Sequence, residues 1–161
     1  MRTRQTENRA NTAWTTAALR PARRLLSARL RCGTILTGRT SELLGASSAL
    51  LLNALKKLAG VEDSVKLISP QIIAPIMDMK IDHLGSDHTS LLHLNELLIA
   101  LAIAGVTDPN AKAAIDQLEH LKGLEVHSSV ILSQIDSGVF KKLGVNLTCE
   151  PQYESNKLYH K

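Results

Sequence analysis

TILTGRTSELLGASSALLLNALKKLAG, residues 34–60, predicts a short strand, a tight glycine turn and a long buried helix. The strand is the apolar run at residues 35–36. The helix is predicted to begin at Glu42, because the hydroxyl of Thr40 or Ser41 can cap its first turn. Its leucines cover more than one helical face, so we expect other elements to pack on it from two sides.

The turn before this helix is the predicted ligand site. A helix N-terminus presents unpaired N–H groups and the positive end of the helix dipole, so a loop that also carries a cation suits an anion or a phosphate. The residues of this predicted site are Thr37, Gly38, Arg39, Thr40 and Ser41. Because the turn lacks the spacing of a phosphate loop or a dinucleotide fingerprint, a capped core helix is the alternative.

The composition is that of one folded domain with an aliphatic core. The chain has 161 residues, of which 44% are hydrophobic and 21% charged. Aromatic residues make up only 2%, which argues against base stacking and hence against a nucleic-acid partner. The longest apolar run, residues 97–104, is too short to cross a bilayer, so we expect no membrane contact. Cys32 and Cys149 lack the spacing of a zinc site or a disulfide framework, which favours a reducing, cytoplasmic setting.

The charge distribution divides the chain into two unlike parts. Residues 1–33 contain eight arginines and one acidic residue, a charge of +7, so the total of +4 leaves −3 for residues 34–161. We therefore predict a disordered or irregular leader, residues 1–33, followed by one domain, residues 34–161. The leader resembles a transit peptide in composition, and a basic arm for nucleic acid or anionic lipid is the alternative.

Residues 124–132, LEVHSSVIL, alternate in the manner of a strand and supply the first catalytic candidates. Glu125 and His127 share one face of this strand, so they could approach as an acid and a base. Cys149, on a predicted last strand, is the third candidate, because a thiol close to His127 would be reactive. A polar sheet face covered by a loop is the alternative.

Residues 80–88, KIDHLGSDH, gather acidic and histidine side chains beside a glycine. Asp82 and His83 are the weak metal candidates of the sequence, although sequence neighbours on a helix point in different directions and cannot form a site by themselves. The alternative is a solvated helix end. No cofactor follows from these residues.

The order of the elements predicts an α/β fold. Short strands are predicted at residues 35–36, 65–68, 124–132 and 145–149, with helices between them. We expect a three-layer domain, in which a short mixed sheet of about four strands carries helices on both faces.

Four blocks of sequence together resemble one family. They are TGRTSELLGASSALLLNALK, ISPQIIAPIMDMKIDHLGS, LEVHSSVILSQID and KKLGVNLTCEPQYES. In this order, from about Thr37 to Lys161, they resemble the bacterial uncharacterised protein family 0371, also called domain of unknown function 1846. Members of that family are longer, so the resemblance implies a C-terminal subdomain of three α/β layers, similar to cytidine-deaminase-like domains. The deaminase reaction is not implied, because the HxE and PCxxC zinc motifs are absent from the sequence.

Two functions are compatible with these patterns. In the first, the chain contributes an anion or phosphate site near Arg39, together with the three catalytic candidates. In the second, it is a non-catalytic scaffold or oligomerisation subdomain that packs on the missing N-terminal domains or on a second copy. Whether the protein is an enzyme stays open.

Overall fold

The structure is a computed structural model, and it describes residues 25–41, 44–86 and 91–151. The strands of this part are β1 (Leu25–Arg29), β2 (Ile35–Arg39), β3 (Glu125–Ser128) and β4 (Asn146–Cys149). Its α-helices are α1 (Ala46–Ala59), α2 (Pro70–Asp82), α3 (Leu94–Ala104), α4 (Pro109–Ile115) and α5 (Gln134–Lys142), and a short 3-10 helix spans Leu118–Leu121. None of these helices combines the length and the apolar content that crossing a bilayer requires.

The strands form one mixed sheet in the order β2-β1-β3-β4. β1 is antiparallel to both of its neighbours, whereas β3 and β4 are parallel and are joined through α5. The predicted α/β class and four-stranded mixed sheet are confirmed.

β1 lies inside the segment that composition assigned to the leader. Leu26 and Ala28 are buried, and the strand pairs with β2 on one side and β3 on the other. A tight turn follows, in which Gly33 adopts a φ of 84° and its N–H donates to the carbonyl of Leu30. The compositional boundary at residue 33 therefore does not mark the edge of the folded unit. The rest of that segment, residues 1–24, lies outside the described residues.

The predicted strand at residues 65–68 is wrong. This segment is irregular, with a bend at residues 67–68, and it follows a turn in which the N–H of Val65 donates to the carbonyl of Glu62. Leu67 and Ile68 are nevertheless buried, so the apolar run packs its side chains without joining the sheet. Pro70 opens α2 immediately afterwards, and β1 supplies the fourth strand instead.

In the described part of the chain, the helices cover one face of the sheet. α1 packs on β1 and β2, α5 packs on β4, and α3 contacts both of these helices. The side chains of Leu26, Ala28 and Val126 point to this side and join one hydrophobic core. The sequence predicts helices on both faces, and the described residues form no helix on the second face.

Candidate functional site

The sheet face turned away from the helices, which we call the open face, collects most of the candidate residues. Its members alternate with the buried strand residues and come from all four strands: Leu25, Ser27, Arg29, Ile35, Thr37, Arg39, Glu125, His127, Asn146 and Thr148. Thr37 and Arg39 of the predicted anion site thus share a face with Glu125 and His127 of the predicted acid–base pair. The first of the two functions predicted from the sequence uses these two pairs together.

Strand register arranges the open face in two rows. In one row Thr37, Ser27, His127 and Thr148 are successive cross-strand partners, and in the other Ile35, Arg29, Glu125 and Asn146 are. Between them lies a shallow groove of about 430 Å³ that all of these residues except Thr37 help to line. The first row carries hydroxyl and imidazole groups. In the second row Arg29 lies between the carboxylate of Glu125 and the apolar side chain of Ile35.

His127 has two polar partners on this face. Its Nδ1 lies 3.0 Å from Thr148 Oγ1, and its Nε2 lies 3.3 Å from Glu150 Oε1. The Thr148 hydroxyl has one proton, and the carbonyl of Val126 lies 3.3 Å from its oxygen as a second acceptor. When Nε2 carries the imidazole proton and donates to Glu150, Nδ1 can accept the Thr148 proton in place of that carbonyl. A carboxylate that orients an imidazole toward a hydroxyl is an arrangement suited to proton transfer. The imidazole is half exposed, at 51%.

The carboxylate beside His127 is therefore Glu150 and not Glu125. Glu125 lies one row away, in register with Arg29 and Asn146. Sequence reasoning missed Glu150 because its place depends on the parallel pairing of β4 with β3. The signal that could have found it is the alternation of Thr148 and Glu150 at the end of the last strand.

Cys149 is not brought to His127. It is in register with Ser128, and successive residues of a strand point to opposite faces, so the thiol lies on the other side of the sheet from the imidazole. The predicted thiol–imidazole contact is not formed. Both cysteines, Cys32 and Cys149, are free and exposed.

We expect Cys32 to be the thiol with the distinctive reactivity. Thr34 Oγ1 lies 3.2 Å from its sulfur, and this hydrogen bond lowers the pKa of the Cys32 thiol from its ordinary value. In a Cys149→Ser background, the rate of alkylation by iodoacetamide should rise at a lower pH than for a free thiol. Adding Thr34→Val should move this pH profile upward, and an unchanged profile would contradict the assignment.

The predicted anion loop does not converge on one point. A Cβ at Gly38 would meet the backbone of α1, so Thr37 and Arg39 on either side of it face away from that helix. Ser41 lies on the helix side, where its hydroxyl accepts a hydrogen bond from the N–H of Leu44 at 3.1 Å. Thr40 is exposed beyond the end of β2.

The first turn of α1 is also covered. The helix begins at Ala46 rather than at Glu42, its N-cap is Gly45, and no side chain caps it. Ser48 Oγ donates to the carbonyl of Leu92 at 2.9 Å, which places the segment before α3 against this end. The predicted cap by Thr40 or Ser41 is therefore wrong.

The predicted metal candidates lie at the exposed end of α2. Asp82 and His83 are both exposed, while Asp87 and His88 fall outside the described residues. No group of three or more metal-binding side chains occurs in the part of the chain that the structure describes.

Lys80, in the same segment, is buried in an ion pair. Its Nζ donates to Glu96 Oε2 at 2.8 Å and to the carbonyl of Leu91 at 3.0 Å. The same Glu96 oxygen accepts the N–H of His93, and Asp136 accepts the N–H of Leu94. The polar groups in this cluster thus tie α2 and α5 to the start of α3.

Glu96→Gln should lower the free energy of unfolding by about 2 kcal/mol, because it leaves the buried ammonium of Lys80 without its counter-charge. This loss is below that of a fully buried pair, since Glu96 is 25% exposed. Urea unfolding monitored by circular dichroism measures it, with the exposed Glu119→Gln as the control. Equal stability of the two variants would contradict the role given to the pair.

A family model and individual proteins of known sequence both match this chain. The model described as "Domain of unknown function DUF1846, C-terminal" matches residues 3–159, so the match includes β1 and most of the arginine-rich segment. A UPF0371 protein of Corynebacterium diphtheriae is 51% identical over 129 residues, which are 80% of this chain and 26% of the relative. A UPF0371 protein of Streptococcus pyogenes is 48% identical over 136 residues, 84% of this chain and 27% of that protein. The chain spans about a quarter of the length of these relatives.

Proposed function

Because the chain belongs to the UPF0371 family, whose C-terminal DUF1846 domain it matches, we propose that it works as one subdomain of a longer protein. In this proposal the open face is the surface on which the upstream part of that protein packs. The sheet then becomes the middle layer of a three-layer arrangement.

The main observation in favour of this proposal is that the described helices pack on only one face of the sheet. Parallel strands such as β3 and β4 are usually covered on both faces, yet the described helices cover only one face of the sheet. Ile35, at the β2 end of its row, is 65% exposed, and Leu25 is 39% exposed. About three quarters of the length of the relatives lies outside the region matched by this chain. That additional polypeptide could cover the open face.

The side chains of the open face are of the kinds found where two protein surfaces pack together. Arg29 and Arg39 present positive charge, Glu125 and Glu150 present negative charge, and small hydroxyl side chains lie between them. Mixed charges around an apolar side chain fix the register of two packed surfaces more than they add affinity. This pattern favours one defined partner surface.

Titration of the 161-residue chain with the upstream portion of the Corynebacterium diphtheriae relative tests the proposal. We expect Ile35→Glu to weaken binding at least about ten-fold, because it buries a charge in the contact. Ile99→Glu is the matched control, since Ile99 on α3 is 61% exposed, close to the 65% of Ile35.

Binding that is lost only in Ile99→Glu would contradict the proposal, as would no binding at all. Sedimentation of the chain alone distinguishes a second copy as the occupant. If the wild-type chain is a dimer and Ile35→Glu is a monomer, the open face pairs with itself instead.

A second candidate function is a ligand site on the same face, and the contacts of His127 with Thr148 and Glu150 favour it. Arg39 would then attract an anion to the neighbourhood of the imidazole. A thermal-shift screen with sugar phosphates and nucleotides tests this candidate, because a ligand that binds only the folded state raises the melting temperature. Arg39→Ala should abolish the rise without changing the melting temperature of the free protein, and a rise that persists would contradict the candidate.

A further inference from the structure

A second, larger cavity lies on the helix side of the sheet, and it is independent of the open face. This cavity, which we call the α1–α2 groove, has a volume of about 480 Å³. Its lining comes from the β2–α1 connection, one side of α1, the irregular segment before α2 and the start of α2. We propose that it binds a small amphipathic anion, with an apolar body and a carboxylate or phosphate head.

One wall of the groove is a stripe of α1 whose side chains are half-buried at the edge of the main core. Ala49, Leu52, Asn53 and Lys56 follow each other at intervals of three, one and three residues, so they lie on one side of the helix. Leu50, Leu51, Ala54 and Leu55 of the same helix are buried in the core instead. This division explains why the helix is apolar over more than one face.

The opposite wall is the segment that was predicted as a strand. Leu67, Ile68 and Ile73 present aliphatic surface, and Pro70 sits between them at the start of α2. Two aliphatic walls and a volume within the usual range for small-molecule pockets suit a ligand with an apolar body. The groove is partly open, so a polar head can remain at its rim.

The polar groups of the groove select a negative head. Lys56 and Lys66 both line it, and no carboxylate occurs among its described lining residues. Lys56 Nζ donates to the carbonyl of Asp63 at 2.9 Å, a contact that uses one of three ammonium donors and leaves two for a ligand. Ser41 adds a hydroxyl beside the same cavity. Charge complementarity therefore favours a carboxylate or a phosphate over a neutral or cationic head.

Isothermal titration of the 161-residue chain with four decyl probes tests the proposal. The probes are decanoate, decyl phosphate, decanol and decyltrimethylammonium, and inorganic phosphate is the fifth ligand. We expect one or both anionic probes to bind at least about ten-fold more tightly than decanol, because a hydrogen bond to a charged group is worth more than one tenfold step. The ranking of the two anionic probes identifies the head group.

Variants locate the binding in the groove. Lys56→Gln with Lys66→Gln should remove the preference for the anionic probes and leave decanol binding unchanged. Ala49→Trp should block all probes by filling the cavity. The control is Lys112→Gln with Lys142→Gln, two exposed lysines on other helices, which should change nothing.

Three results would overturn the inference. They are binding of decanol as tight as that of both anionic probes, binding of decyltrimethylammonium as tight as that of both anionic probes, or a preference for the anionic probes that survives the Lys56 and Lys66 substitutions. Binding of inorganic phosphate as tight as that of decyl phosphate would contradict the proposal that the ligand has an apolar body. Melting curves of each variant show that it is folded, and if Ala49→Trp unfolds the chain, the lysine pair alone decides.

Discussion

We expect a chain that begins at Thr34 not to fold, and the 161-residue chain to show a cooperative melt. The truncation removes β1, which is the strand between β2 and β3, so β2 loses its partner strand and β3 loses one of its two. It also removes the buried side chains of Leu26, Ala28 and Leu30 from the core. We expect the far-ultraviolet circular dichroism of the truncated chain to be that of an unfolded protein.

A point substitution separates the loss of β1 from other effects of truncation. Leu26→Ala in the full chain should lower the free energy of unfolding by about 3 kcal/mol, because Leu26 is fully buried. Ser27→Ala, on the open face of the same strand, should change it by less than about 1 kcal/mol. A cooperative melt of the chain that begins at Thr34 would show that β1 is dispensable and would contradict the central place given to it.

Gly38→Val has the second largest expected effect, a loss of at least about 3 kcal/mol in the free energy of unfolding. A Cβ at this position would clash with the carbonyl oxygen of Ala46 and with the backbone nitrogen of Leu50. These are backbone atoms of α1, so no side-chain rotation relieves the clash and the helix must move off the sheet. Chemical denaturation measures the loss.

Gly138→Ala is the matched control for this experiment. A Cβ at Gly138 meets no atom within 4 Å, and the residue lies inside α5. Alanine is the better helix former, so we expect the control to gain about 0.5–1 kcal/mol. If Gly38→Val were as stable as the wild-type chain, the close approach of β2 and α1 would be contradicted.

The same glycine shows how far the sequence alone could reach. The apolar run at residues 35–36 predicts the start of β2, and β3 and β4 lie in predicted strands. The role of Gly38 is not predicted, because it lies inside β2 and not in a turn, and the lack of a side chain fits both a ligand loop and a close packing contact. Only the distance to α1 distinguishes these two roles.

The composition of residues 1–33 indicates a leader, whereas the periodicity of its last residues indicates the strand β1. Leu26, Ala28 and Leu30 alternate with exposed or half-exposed residues, which is the pattern of a strand. The arginines at positions 29 and 31 are compatible with this pattern, because they lie at exposed positions. A high arginine content therefore marks the solvent side of this segment and gives no information about its buried side.

The open face could be predicted only in part. The alternation of residues 124–132 places Glu125 and His127 together, and the same rule places Thr37 with Arg39. Their union on one face depends on β1, which joins the two strands, and on register that no local pattern encodes. The α1–α2 groove was beyond prediction for a similar reason, since one of its walls is an irregular segment.

The position of β1 also has a consequence for the order in which the chain folds. β1 and β2 are joined by a short turn, so this hairpin and α1 can assemble from neighbouring residues. The other side of β1 pairs with β3, and the partners Leu26 and Ser128 are separated by about 100 residues of chain. Long-range pairing of this kind forms late, so an unpaired strand edge persists until β3 arrives. During synthesis that edge is where nascent chains would associate with one another, and the interval lasts until most of the domain has been made.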